Sequence, residues 1–138
     1  ERDVEMVKKA YEQYGLDARV SPFIVDMVSA YESSDLIICR AGATSLAEIT
    51  AAGRASILIP FPWAANDHQT LNAQAMVKAG AAVMIKESEL TPEKLFALVQ
   101  SLLADDRKLR DMEDRSRKSG RLDAAAKIVD ACHQLAAR

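Results

Sequence analysis

The sequence predicts an α/β fold built on an open, Rossmann-like parallel sheet. Short apolar runs alternate with amphipathic segments of helical period along most of the chain, and glycine or proline stands at many of the boundaries between them. Strands that alternate with helices pair in parallel, and ligands bind such sheets beyond the carboxyl ends of the strands. We therefore expect a functional site in the loops that follow the predicted strands.

The predicted elements follow one another closely along the chain. Apolar residues at helical spacing predict a first helix at 3–14, which Gly15 ends. A short strand candidate at 18–21 precedes Pro22-Phe23, which leads into an amphipathic helix with Ile24 and Tyr31 among its apolar residues. Further strands are predicted at 36–39, 55–59 and 81–85, and further helices at 45–52, 68–79, 91–104, 106–118 and 122–137.

Composition indicates one domain with an aliphatic core, since 49% of the 138 residues are hydrophobic and only 5% are aromatic. The formal charge of -2 provides no general field for nucleic acid or anionic lipid, so any phosphate binding must be local. Cys39 and Cys132 are far apart in sequence, which favours free thiols in a reducing compartment over a disulfide or a metal site. No signal peptide is visible and no apolar run approaches the roughly 18 residues of a membrane span, so the expected location is cytoplasmic.

The segment from Asp35 to Glu48 is the most informative about function. It predicts a short apolar strand, a turn at Gly42 and the start of a helix. Backbone N–H groups at such a helix start suit an anion, and Glu48 can bind both hydroxyls of a ribose, so the pattern indicates a nucleotide diphosphate. An alternative interpretation is open, because Ser45 and Glu48 also fit a capping box and a turn glycine can serve local sterics alone.

Motifs of other nucleotide enzymes are absent from the sequence. It contains no Gly-x-Gly-x-x-Gly segment and no Walker loop, which disfavours a dinucleotide enzyme and a P-loop phosphotransferase. Three blocks of residues lie next to the predicted strands, and the second overlaps the segment from Asp35 to Glu48. They are Phe23-Ile24-Val25-Asp26-Met27, then Cys39-Arg40-Ala41-Gly42-Ala43-Thr44-Ser45-Leu46-Ala47-Glu48-Ile49, and finally Pro60-Phe61-Pro62 with Asn66, His68-Gln69 and Asn72-Ala73.

In order and spacing these blocks resemble the MurG family, the undecaprenyl-diphosphomuramoyl-pentapeptide N-acetylglucosaminyltransferases, and the similarity runs over nearly the whole chain. The resemblance implies the C-terminal domain of a glycosyltransferase B fold, with a donor site for UDP-N-acetylglucosamine. Glu48 then stands in the position of the family's ribose-binding glutamate, and Ile24 in that of the residue whose backbone meets the uracil. Ala43, Thr44 and Ser45 match the helix-start segment that holds the diphosphate and approaches the sugar.

The same resemblance assigns roles to the third block. Gln69 and Asn72 match side chains that hydrogen-bond the hydroxyls of N-acetylglucosamine, and His68 stands where the family has glutamine or histidine. We expect His68 to contact the sugar or to cap the start of its helix rather than to act as a catalytic acid. Ala41 departs from the family, which often has serine there. Arg40 is expected either to stabilise the following loop or to approach a phosphate.

By the resemblance, residues 1–138 form part of a C-terminal UDP-sugar-binding domain whose first two strands, with a glycine-rich turn and a His-Gln-Thr-Gly strand end, are absent. The amino-terminal domain, which would bind the lipid-linked muramoyl pentapeptide acceptor and supply the general base, is absent as well. We therefore expect no catalytic residue, no cofactor and no metal in this chain, and no transferase activity for the chain alone. The intact enzyme would act with inversion and lie peripherally on the cytoplasmic face of the inner membrane.

The absent strands have an expected structural consequence. In the doubly wound order 3-2-1-4-5-6, they belong between 18–21 and 36–39. The chain would then expose a bare strand edge, which favours self-association or abnormal repair of the sheet.

Two other functions stay open at this point. A UDP-sugar epimerase of related fold would need catalytic carboxylates and a histidine from regions outside this chain, and it fits Gln69 and Asn72 less well. A non-catalytic module that binds nucleotide sugars would instead need no partner domain.

Overall fold

The computed structural model describes residues 2–137 of the chain. They form two compact units, which divide between Ala30 and Tyr31. The first unit consists mainly of one helix and an irregular segment. The second unit contains the sheet and all the later helices of the described chain.

Helix α1 of the first unit spans Arg2–Gln13, which confirms the first predicted helix. Gly15 closes it with a φ of +63° and an N–H bond to the carbonyl of Glu12 at 3.0 Å. The strand predicted at 18–21 is wrong, because the segment has no regular structure and pairs with no described residue. A strand of four residues is stable only when a neighbour satisfies its backbone, and an apolar pattern does not reveal whether that neighbour is present.

Helix α2, Met27–Glu32, begins later than the sequence predicted. Asp26 lies just before it, and its carboxylate accepts bonds from the hydroxyl and the N–H of Ser29 at 2.6 and 3.0 Å. These two bonds hold the pKa of the Asp26 carboxyl below its ordinary value. Ile24 therefore precedes the helix that was expected to include it, whereas Tyr31 lies within that helix.

The second unit is built on a parallel sheet of three strands in the order β1-β2-β3. The strands are β1 Leu36–Cys39, β2 Ala55–Leu58 and β3 Ala82–Met84. Leu36 lies opposite Ala55, and Ser56 lies opposite Ala82. The parallel pairing of all three later strands is thus as predicted. Their carboxyl ends meet at one edge, where the loops of interest begin.

Five further helices belong to the second unit of the described chain, and those between the strands confirm the alternation of strands and helices. They are α3 Ala43–Ala52, α4 His68–Ala79, α5 Pro92–Leu103, α6 Asp106–Ser119 and α7 Ala124–Ala136. Thr91 caps α5 by accepting a bond from the N–H of Lys94 at 3.2 Å, as its sequence indicates. Helices α3 and α7 each begin two residues away from the predicted start. None of the described helices is long and apolar enough to cross a membrane.

The core of the second unit lies on β2, all four residues of which are buried. Ala55 and Ile57 pack against Leu102 of α5 and Met112 of α6. Short aliphatic side chains fill this layer, which agrees with the low aromatic content of the sequence. Burial of β2 between its neighbours fixes the carboxyl ends of β1 and β2 beside each other.

One edge of β1 is not covered by another strand of the described chain. β1 pairs only with β2, and the side chain of Ile38 is 45% exposed. Its outer edge therefore offers unpaired backbone groups.

Candidate functional site

The start of α3 provides three backbone donors without an intrahelical partner. Gly42 precedes the helix in extended conformation and no side chain caps it, while the first helical bond joins the N–H of Leu46 to the carbonyl of Gly42 at 3.0 Å. The N–H groups of Ala43, Thr44 and Ser45 belong to the first turn, so the helix itself leaves them unsatisfied. Together with the helix dipole they make this point favourable for an anion.

The capping-box interpretation of this segment is wrong. The helix begins at Ala43, so Ser45 is its third residue and cannot be its cap. Nor does Gly42 serve local sterics, because its φ is -69° and a Cβ atom there would meet only the hydroxyl of Ser45, at 3.9 Å. The protein itself therefore gives no reason for a glycine at this position.

The carboxylate of Glu48 lies one turn further along α3 and is held from the protein side. The hydroxyl of Tyr31 donates a hydrogen bond to Glu48 Oε2 at 2.9 Å. Glu48 is exposed, whereas Tyr31 is only 9% exposed. Burial first, and then the bond to Glu48 and its negative charge, raise the pKa of Tyr31 to about 12. The phenol therefore stays protonated and keeps donating at neutral pH.

Two amide side chains of α4 face the same end of the sheet. Gln69 Oε1 accepts a bond from the N–H of Phe61 at 3.0 Å, and Asn72 Nδ2 donates to the carbonyl of Ala41 at 3.1 Å. A backbone N–H can only donate and a carbonyl can only accept, so both amide orientations are fixed. Gln69 keeps its NH2 group for a ligand, and Asn72 keeps its carbonyl oxygen.

The bond from Asn72 also joins the two helices of the site. Ala41 is fully buried between β1 and the start of α3, so the bond sets Asn72 beside the turn that carries the free amides. Gln69 lies three residues earlier on the same helix. The structure thus places Asn72 beside the turn before the predicted residues of α3, and Gln69 against the loop after β2.

His68 is the first residue of α4 and is exposed. Its Nδ1 donates to the carbonyl of Ala65 at 2.7 Å, so in the neutral ring Nε2 is left as an acceptor. The two residues before it, Asn66 and Asp67, both have a φ of +53°, a strained conformation that Asn and Asp tolerate best among residues with a side chain. The histidine therefore stabilises a tight turn next to Gln69.

Arg40 connects the ends of all three strands. Its Nη1 donates to the carbonyls of Ile59 and Pro60 at 3.3 and 3.2 Å and pairs with the carboxylate of Glu87, and its guanidinium lies 5.5 Å from the ring centroid of Phe61. Arg40 thus holds the loop after β2 rather than the loop that follows it in sequence, and its approach to a phosphate stays a prediction.

Two contributors were missed by sequence reasoning. Tyr31 was predicted only as an apolar position of its helix, and Glu87 was not singled out. Both act through partners 17 and 47 residues away along the chain, and sequence spacing carries no signal for such contacts.

Ile24 lies in the first unit, is 49% exposed and precedes α2. Its expected contact with a uracil stays a prediction. In residues 2–137, no group of three His, Cys, Asp or Glu side chains is arranged to hold a metal ion.

Comparison with known proteins finds curated relatives that share one enzyme name. The chain is 55% identical over 132 residues to the UDP-N-acetylglucosamine--N-acetylmuramyl-(pentapeptide) pyrophosphoryl-undecaprenol N-acetylglucosamine transferase of Syntrophus aciditrophicus (strain SB), a match that covers 96% of this chain and 37% of the relative. The protein of the same name from Myxococcus xanthus (strain DK1622) is 51% identical, over 96% of this chain and 35% of its own length. The chain thus spans about a third of the length of these curated relatives.

A solved structure supports the same relationship. The crystal structure of Acinetobacter baumannii MurG superposes with a TM-score of 0.89 at 37% identity, over 97% of this chain and 41% of that one. The model of the glycosyltransferase family 28 C-terminal domain matches residues 1–128. A match over more than nine-tenths of the chain, together with the α/β fold and the high identity to MurG proteins, shows that this chain belongs to the glycosyltransferase family 28 C-terminal domain family.

Proposed function

We propose that this chain carries the UDP-N-acetylglucosamine donor site of a MurG-type N-acetylglucosaminyltransferase of peptidoglycan synthesis. The observation that carries the proposal is the start of α3, where three amides without an intrahelical partner follow a glycine that the protein's own packing does not require. A glycine of this kind is accounted for by close approach of a ligand. The names of the curated relatives, which include UDP-N-acetylglucosamine, support the substrate.

Each part of the donor has a matching group in the proposed site. The amides of Ala43, Thr44 and Ser45 hold the diphosphate, and the carboxylate of Glu48 accepts bonds from the ribose hydroxyls. Gln69 and Asn72 offer one donor group and one acceptor group, a combination that suits sugar hydroxyls because a hydroxyl both donates and accepts. His68 Nε2 adds a further acceptor on the sugar side, and Ile24 meets the uracil through its backbone.

The proposed contribution to catalysis is stabilisation of the leaving group. When an acceptor hydroxyl attacks the anomeric carbon with inversion, the bond to the diphosphate breaks and negative charge develops on UDP. Amides already aimed at that charge lower the barrier without further reorganisation. The general base that removes the hydroxyl proton is assigned to a domain outside this chain. The same domain is proposed to bind the lipid-linked muramoyl pentapeptide at the cytoplasmic face of the inner membrane.

It follows that the chain alone is expected to bind donor without transferring sugar. Purified chain incubated with UDP-N-acetylglucosamine and the lipid-linked acceptor should release no UDP above background. Turnover would contradict this division of roles. The transferase is preferred over a UDP-sugar epimerase and over a non-catalytic module, because the compared MurG relatives are named as transferases at 51–55% identity.

Calorimetric titration of the chain with UDP-N-acetylglucosamine tests the proposal. We expect saturable binding that UDP-glucose competes with only weakly, and loss of at least tenfold in affinity in Glu48→Ala. Asp114→Ala is the matched control: it removes an exposed carboxylate from α6 whose partner, Arg117, lies over Gly53 at the far end of α3. Absence of binding by the folded chain, or equal binding by Glu48→Ala and wild type, would refute the proposal.

Self-association is proposed from a separate feature. The outer edge of β1 pairs with no strand of the described chain, and a second copy can add a strand there. Sedimentation equilibrium should give a mass that rises above 15.1 kDa with concentration. A single species of monomer mass at all concentrations would exclude it.

A further inference from the structure

The hydroxyl of Tyr31 is the polar end of an otherwise buried side chain. Its ring belongs to the packed side of α2, and its hydroxyl donates the 2.9 Å bond to Glu48 Oε2. Glu48 itself is exposed and lies on the α3 surface next to the free amides. A buried side chain on α2 therefore fixes an exposed side chain on α3 that lies 17 residues later in the sequence.

An exposed glutamate without a partner moves among many rotamers, and a ligand that binds one of them must first restrict that motion. The bond from Tyr31 reduces the conformational entropy that Glu48 would lose on binding, because it sets the position of one carboxylate oxygen before any ligand arrives. Each carboxylate oxygen accepts about two bonds. Oε1 therefore stays fully available, and Oε2 keeps one further lone pair, which together match two neighbouring hydroxyls.

We propose that Tyr31 is a positioning residue that presents the Glu48 carboxylate to the ribose diol of the nucleotide, an inference that rests on the donor site proposed above. Tyr31 touches no part of the nucleotide in this arrangement and acts only through Glu48. The raised pKa of Tyr31 agrees with this role, since a phenol that keeps its proton is a permanent donor at any pH where the protein works.

The substitution Tyr31→Phe tests the proposal, because it keeps the buried ring and removes only the hydroxyl. Loss of the bond leaves Glu48 exposed to water, so the fold should persist, and circular dichroism and a urea unfolding curve verify that it does. The matched control is Tyr14→Phe, which removes a hydroxyl from a side chain that is 76% exposed. UDP and 2′,3′-dideoxy-UDP, which lacks both ribose hydroxyls, are the probes for calorimetric titration.

We expect Tyr31→Phe to weaken UDP binding about 3- to 10-fold, the range for leaving one flexible side chain to be ordered by the ligand. Binding of 2′,3′-dideoxy-UDP should not change, and Tyr31→Phe should have no added effect in a Glu48→Ala background. Tyr14→Phe should bind both probes like wild type.

Three results would overturn the inference, and they separate it from the proposed function. Equal weakening for both probes would mean that Tyr31 acts through general packing. Unchanged UDP binding in Tyr31→Phe, together with a large loss in Glu48→Ala, would exclude positioning by Tyr31 and leave the donor site intact. No binding of UDP by the folded wild-type chain would remove the donor site and this inference with it.

Discussion

Arg40 is expected to hold the loop after β2 in place, and its replacement by methionine measures how strongly. The ion pair with Glu87 is nearly half exposed on both sides and contributes about 0.5 kcal/mol. The two carbonyl bonds share one nitrogen at 3.2–3.3 Å and contribute about 1–2 kcal/mol together. The contact with the ring of Phe61 adds about 0.5 kcal/mol. Arg40→Met should therefore lower the free energy of unfolding by about 2–3 kcal/mol.

Urea denaturation of the chain, followed by circular dichroism, provides the assay. The midpoint should fall in Arg40→Met while the slope with denaturant stays unchanged, because the surface exposed on unfolding is the same. Arg110→Met is the matched control, since its pair with Asp106 is 3.8 Å long and highly exposed, and it should cost less than about 0.5 kcal/mol. Arg40→Lys should fall between the two, because lysine keeps the charge but lacks the planar guanidinium that lies against the ring of Phe61. If Arg40→Met and Arg110→Met unfold at the same midpoint, Arg40 does not hold the loop.

Four further outcomes are expected. Gly42→Ala should change the free energy of unfolding by less than about 0.5 kcal/mol, because its φ is -69°, yet weaken UDP binding about tenfold in calorimetry; unchanged binding would contradict the close approach of a ligand. Gly53→Ala should cost about 1–2 kcal/mol in urea denaturation, since its φ is +64° and a Cβ would meet the Arg117 guanidinium at 2.8–3.0 Å; a neutral effect would count against strain there. Leu102→Ala should cost about 2–5 kcal/mol by the same assay because this side chain is fully buried in the core, and a loss below 1 kcal/mol would be inconsistent with that packing. The Tyr31 phenol should titrate with a pKa of about 12 by nuclear magnetic resonance, and its pKa in Glu48→Gln should lie closer to 10 but still above it, because burial is the larger cause. The folded state holds this proton more tightly than the unfolded chain, so the contribution to stability is complete below pH 10 and is lost as the pH rises to 12. A pKa of 10 in the wild type would refute both the burial and the bond.

The parts of this fold that sequence predicts well are those set by local pattern. Leu36–Cys39 and Ala82–Met84 are apolar throughout and Ala55–Leu58 is interrupted only by Ser56, a pattern that suits parallel strands. Gly53 and Gly80 end their helices because each adopts a positive φ. The same local logic located the start of α5 at Thr91. Such features need no information from distant residues.

Sequence reasoning failed where a distant partner or an alternative cap decided the structure. Ser45 is a good capping residue by type, but the helix begins at Ala43 because Gly42 already supplies the first carbonyl, and the local pattern permits both starts. The segment 18–21 alternates apolar Ala18 and Val20 with polar residues, as a strand can, but it has no strand to pair with among the described residues.

In the candidate site, too, local features could be predicted and contacts between distant residues could not. Ser45 and Glu48 could be placed on one helix from spacing, since three to four residues make one helical turn, whereas Ala43 and Thr44 lay before the predicted start of that helix. The groups that orient the site could not be predicted, because the bond from Tyr31 to Glu48 and the contacts of Arg40 with Glu87 depend on the tertiary fold.

The most direct test of the donor site is a ¹⁵N-resolved nuclear magnetic resonance titration of the chain with UDP and, separately, with uridine. We predict that the amide signals of Ala43, Thr44 and Ser45 shift on addition of UDP and stay in place with uridine, because these N–H groups bind the diphosphate. Equal shifts with both compounds, or UDP-induced shifts confined to other parts of the chain, would show that these amides do not hold the diphosphate.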